Sequence, residues 1–159
     1  MRPAFPALAL VLSLGLGSAN GAAAAGPFQA FAGSWRGGGE VMGSNGVREH
    51  IRCRAVYSIS NQGEAMTQTI VCASPSYKMD IRSHVEARGE QVEGEWSEAT
   101  RNVAGLLSGR IVGGRFEGAI QGPSFTAGVS LIANGRGQSV SIAPSAGDIA
   151  GVSIELTRG

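Results

Sequence analysis

From residue 33 onward, apolar and polar positions alternate with almost no break in parity. Val47, Glu49, Ile51, Cys53, Ala55 and Tyr57 form one set, and Arg48, His50, Arg52 and Arg54 form the other. Tyr77, Met79, Ile81, Val85 and Ala87 repeat the pattern against Lys78, Asp80, Arg82, His84 and Glu86. A period of two means strands with one dry face and one wet face. Repeated along one short chain, it predicts a sheet that curls to shelter an interior. The predicted strands cover roughly 33–42, 47–59, 65–73, 77–87, 91–98, 103–112, 115–121, 124–133, 138–143 and 149–158. No helical period runs through this region.

The turns test whether the apolar set stays on one face. Ser44-Asn45-Gly46 suits a short hairpin with Gly in the left-handed position, setting Val41 opposite Glu49 and Trp35 opposite Ala55. A turn at Gln62-Gly63 sets Cys53 opposite Cys72 and Tyr57 opposite Gln68. Across Ser74-Pro75, Ile70 is expected to meet Met79. A turn at Arg88-Gly89 would set Val85 against Val92, Arg82 against Glu95 and His84 against Glu93. Gly113-Gly114 joins Ile111 to Phe116, Gly122-Pro123 joins Ile120 to Phe125, and Gly135-Arg136 joins Leu131 to Val140. The expected fold is all-β: an up-and-down antiparallel meander of about ten strands closed into a barrel. An even count lets the last strand close antiparallel on the first and abolishes both edges. A two-sheet sandwich is the alternative.

The start of the chain reads differently. A short positive start at Met1 and Arg2, an apolar run from Ala7 to Leu16, and a small-residue stretch from Gly17 to Ala25 make a secretory signal peptide. The expected domains are therefore 1–25, cleaved after Ala25 or Ala19, and a single barrel over 26–159. The apolar run is too short for a stable membrane-spanning helix. Export places the protein in the periplasm or outside the cell, where two cysteines, Cys53 and Cys72, are expected to form a disulfide.

Composition removes several function classes. A formal net charge of +1 argues against a nucleic-acid binder. Gly is abundant, 25 of 159 residues, and lies among β patterns, which points to turns, bulges and thin places in a wall. No nucleophile elbow, Walker loop, His-Glu-x-x-His or Cys-x-x-Cys motif occurs. His50 and His84 fall on the wet face, so no metal site, catalytic residue or cofactor is expected, and haem lacks an inward His. Glu93, Glu95 and Glu98 cluster in sequence, but parity sends Glu93 and Glu95 to solvent, where an acid–base pair lacks its desolvated carboxyl.

Phe31-Ala32-Gly33-Ser34-Trp35 opens the first strand, and Arg158 follows Val152, Ile154 and Leu156 on the inward parity of the last. This resembles the Gly-x-Trp signature of lipocalins and the wider calycin group. There an Arg from the last strand packs across the Trp and closes the barrel floor. The resemblance implies that Trp35 and Arg158 are structural, and that the protein is a small-ligand carrier. The group also contains enzymes and inhibitors.

The interior is the candidate site. Large groups of inward parity, among them Tyr57, Gln68, Tyr77, Met79, Trp96, Phe116 and Phe125, are the expected ligand contacts. Small inward residues such as Gly94, Gly105, Gly109, Gly118 and Ala127 are expected to leave room beside them. The leading function is an exported binding protein for an apolar or amphipathic small molecule. Its alternative is an envelope interaction or inhibitor module with a filled barrel, in which a protein partner meets the Ser97–Asn102 loop and the basic ladder of Arg48, His50, Arg52 and Arg54. A third reading, an outer-membrane barrel, requires the apolar face to turn outward to lipid.

Overall fold

The computed structural model describes residues 25–159; the leader expected over 1–25 lies outside them but for Ala25. Ten strands follow one another: β1 (Gly33–Gly43), β2 (Arg48–Ser60), β3 (Ala65–Ala73), β4 (Lys78–Arg88), β5 (Gln91–Glu98), β6 (Val103–Val112), β7 (Arg115–Gln121), β8 (Thr126–Asn134), β9 (Gly137–Pro144) and β10 (Ile149–Arg158). Each pairs antiparallel with its successor, and β10 pairs with β1, so the sheet is a closed up-and-down barrel and not a sandwich. Along β2 the burial alternates strictly, with Ile51, Cys53, Ala55 and Tyr57 buried and Arg52, Arg54 and Val56 exposed. The apolar set therefore faces inward.

Turn chemistry fixes most registers. Gly46 has a left-handed φ of +83°, and Asn45 Oδ1 accepts from Val47 N at 3.0 Å, so the first hairpin sets Val41 opposite Glu49. Cys53 lies opposite Cys72, with Cα atoms 4.1 Å apart, and the two form a disulfide. On chain-entropy grounds a loop of this size contributes about 3 kcal/mol. Closure sets Trp35 opposite Arg158.

Three registers differ from the sequence-based expectation, each by two residues. Ile70 faces Ile81, and Met79 instead faces Cys72, because Ser74 to Tyr77 form a four-residue loop closed by Ser74 N donating to Tyr77 O. Arg88 pairs with Gln91 around Gly89-Glu90, which moves Val85 opposite Gly94, His84 opposite Glu95 and Arg82 opposite Ser97. Ile120 faces Ala127, because Gly122 to Phe125 form a loop closed by Gly122 N donating to Phe125 O. A slip of two keeps every side chain on its face, so the interior is unaffected while the outer-wall pairings change.

Residues ahead of β1 plug one end. Gln29–Phe31 form a single 3-10 turn that carries Phe28 and Phe31 into the core, both essentially inaccessible. Phe28 N donates to Gly63 O at 3.1 Å, which ties the plug to the β2–β3 turn.

Candidate functional site: an apolar cavity inside the barrel

A cavity of about 80 Å³ lies inside the barrel, against β3 to β9. Phe28, Met66, Val85, Phe116, Leu131 and Val140 form its deep part and are buried. Ile81, Ile120 and Ile142 line it nearer the opposite end and are only half-buried. Ile70 and Trp96, also on that side, are buried. The opposite half of the interior, around Trp35, Tyr57, Ile154 and Leu156, is packed and buried.

The small inward residues do not simply leave holes. A Cβ on Gly109 or Gly118 would stand 2.7 Å from atoms of the Phe116 ring, and one on Gly105 would stand 3.0 Å from Trp96 Nε1. These glycines are where the Phe116 and Trp96 rings come against the wall. Phe116 and Trp96 become cavity lining because the residues beneath them have no side chain. Trp96 Nε1 donates to Gln121 O at 3.2 Å, and its ring meets Phe125 edge-on at 5.8 Å, so its polar atom is satisfied.

Two polar side chains reach the lining. Ser83, buried, donates from Oγ to Oε1 of Gln68 at 3.3 Å. Of the expected ligand contacts, Gln68, Trp96 and Phe116 line the cavity. Tyr57, Tyr77, Met79 and Phe125 lie outside its lining, for separate reasons. Tyr57 turns toward the packed half, 6.2 Å from the Phe31 ring, where its hydroxyl accepts from Gln138 Nε2 at 2.9 Å. Burial pushes the Tyr57 phenol upward, and the Gln138 bond offsets part of that rise. Met79 lies beside the disulfide, Tyr77 belongs to the β3–β4 loop, and Phe125 sits in the β7–β8 loop covering Trp96.

The plugged end is fastened by Trp35 and Arg158. Trp35 is buried and donates from Nε1 to Phe31 O at 2.8 Å. The Arg158 guanidinium lies 4.5 Å from the Trp35 ring centroid, and donates to the carbonyls of Ala32, Ala30 and Gly135. One residue thereby joins the plug, β1 and the β8–β9 turn.

The outer wall carries the charges. His84 stands 3.9 Å from Glu86 and 3.2 Å from Thr67 Oγ1, not against Glu93, which faces Glu86. His50 and Arg48 meet Glu40. A broader concavity of about 860 Å³ runs over this wall, lined by His84, Glu86, Glu93, Glu95, Leu106 and Gln121. It is the roomier of the two, but it is open and charged, so its surface is already satisfied by water. With charges outward and the apolar set inward, the wall lacks the lipid-facing surface of an outer-membrane barrel. Among the described residues no helix is long and apolar enough to cross a membrane, and no group of three or more His, Cys, Asp or Glu side chains is placed to hold a metal ion.

Of Glu93, Glu95 and Glu98, Glu98 is the carboxylate whose place parity alone left unassigned. It is buried, and its two oxygens accept from the backbone N–H groups of Asp80, Thr100 and Arg101, from Thr100 Oγ1 and from Arg101. Burial alone would raise its pKa, but these bonds together hold it down to about 2. The pattern Glu98-Ala99-Thr100-Arg101 at a strand end is the signal, since a carboxylate followed by a tight loop collects the loop's free N–H groups. Glu49 plays a lesser version of this part at the rim. Bonds from Ser74 and Ser76 lower its carboxyl pKa and tether the β3–β4 loop.

No protein-family model and no curated protein matches the chain. Among solved structures it is similar to the crystal structure of Rv2717c from M. tuberculosis. The TM-score is 0.66 at 15% identity, covering 82% of this chain and 94% of that one. At that identity the likeness concerns the fold: the same kind of closed barrel.

Proposed function

We propose that the chain is an exported small-molecule-binding protein that holds an apolar or amphipathic ligand inside its barrel, in the periplasm or outside the cell. The observation that carries this reading is the interior cavity, apolar throughout except for Gln68 and Ser83. Pockets of that kind, with a few polar groups to fix orientation, are the usual form of small-ligand sites. Export is supported by the leader pattern at the start of the sequence and by the Cys53–Cys72 disulfide, which suits an oxidising compartment. Membership in the calycin-like group is supported by Gly33-Ser34-Trp35 and by Arg158 lying over the Trp35 ring.

The test is native mass spectrometry on protein taken from its own envelope. A bound non-covalent mass is expected, and it should vanish in Val129→Trp, which fills the cavity from the β8 wall. A wild-type protein that carries no such mass and takes up no apolar molecule in titration would instead favour the interaction module.

A further inference from the structure

The lining of the cavity identifies the chemistry of what it takes. Its side chains come from Phe, Met, Ile, Val, Leu and Trp together with Gln68 and Ser83, and none is ionisable. A charged ligand group would be buried there without a partner, which costs far more than apolar contact returns. The wall polarity is also one-sided. Gln68 turns Oε1 to the Ser83 hydroxyl, and the described hydrogen bonds leave its Nε2 without an acceptor. Trp96 Nε1, the other donor in the lining, is already used by Gln121 O. Gln68 is half-buried, and this donor stays accessible to an acceptor that a guest brings.

We infer that the cavity selects an uncharged molecule with an apolar body and one hydrogen-bond acceptor, such as a ketone, ester or lactone, held by Gln68 Nε2. The inference rests on the proposed binding function and narrows it from apolar or amphipathic ligands to neutral acceptors. The ketone oxygen would accept from Gln68, and the ring or chain would lie against Phe116 and Trp96.

Three probes of similar shape separate the terms: cyclohexanone, cyclohexane and cyclohexanecarboxylate, each titrated near neutral pH and followed by NMR. Cyclohexanone should bind about five- to tenfold more tightly than cyclohexane, the worth of one neutral hydrogen bond. It should also shift the Gln68 side-chain amide protons, while the carboxylate stays out. Gln68→Leu should erase the preference, bringing the ketone-to-hydrocarbon affinity ratio to about one; Gln68→Met gives the same comparison with a more adaptable side chain. Equal affinity of the wild-type protein for ketone and hydrocarbon, or carboxylate binding as tight as the ketone's, would overturn the inference while leaving the binding function standing. If none of the three perturbs Trp96 or Phe116, the binding function falls, and this inference with it.

Discussion

Two residue pairs inside the barrel differ in what removing the second partner should do once the first is gone. Trp35 buries a large ring and donates its indole N–H, so Trp35→Ala should cost about 3–5 kcal/mol, the range of aromatic truncations in cores. Arg158 is an exposed residue, but its guanidinium stacks on that ring and serves three carbonyls. Arg158→Ala should cost less, about 1–3 kcal/mol, from its charged hydrogen bonds and cation–π contact. Because the groups touch, a double-mutant cycle by urea unfolding should return a coupling of at least about 0.5 kcal/mol; strictly additive losses would contradict the contact. The Tyr57–Gln138 pair behaves otherwise. Gln138 is buried with Oε1 unpartnered, so this bond already carries a penalty. Tyr57→Phe strands Nε2 as well and should destabilise by about 1–3 kcal/mol, whereas adding Gln138→Leu should recover most of that loss. Thermal unfolding of both singles and the double variant tests it. The Trp35–Arg158 approach was legible in the sequence, since parity and closure bring both to one end. The Tyr57–Gln138 bond was not, because it spans the interior between strands that share no ladder.

Among the elements, the β5–β6 loop has the sharpest chemical signature. Glu98 supplies the acceptor for the N–H groups of Asp80, Thr100 and Arg101, and so joins the loop to β4. Its folded pKa lies below the unfolded value, at about 2. Its contribution is therefore complete above the usual carboxylate range, near 4.5, and is lost as pH falls from there toward 2. Glu98→Gln should flatten the acid limb of a stability–pH curve in that window, and an unchanged limb would refute the assignment. Glu98→Ala should cost about 1–3 kcal/mol at neutral pH by leaving buried donors unmet. Strand positions and facings were readable because a slip of two leaves the parity of every side chain untouched. Registers past the Ser74–Tyr77, Gly89–Glu90 and Gly122–Phe125 turns were not, since hairpins two residues longer or shorter bury the same faces. The cavity was half legible: inward glycines were visible, but that Phe116 and Trp96 would lie across them depends on which ring finds which gap.

At the scale of the molecule, nine of the ten strand pairings join neighbours in sequence, and one, β1 with β10, joins the two ends of the meander. The seam has little slack, because a Cβ at Gly39 would run into the carbonyl oxygen of Ser153 on β10. Gly39→Val should open this seam and leave the β5–β6 ladder intact. Amide hydrogen exchange should then show protection lost along β1 and β10 alone; uniform loss would mean the seam is no weaker than the rest. The seam also sets an order of events. Local hairpins need little loop closure to form, whereas joining Trp35 to Arg158 must gather almost the whole described chain. The last step of folding is then the conversion of an open, curled ribbon into a ring. Until that step, the ribbon presents two bare strand edges that a second ribbon could pair with as readily as its own end. Refolding at raised chain concentration should therefore increase the share of exchanged two-chain rings, read by size-exclusion chromatography.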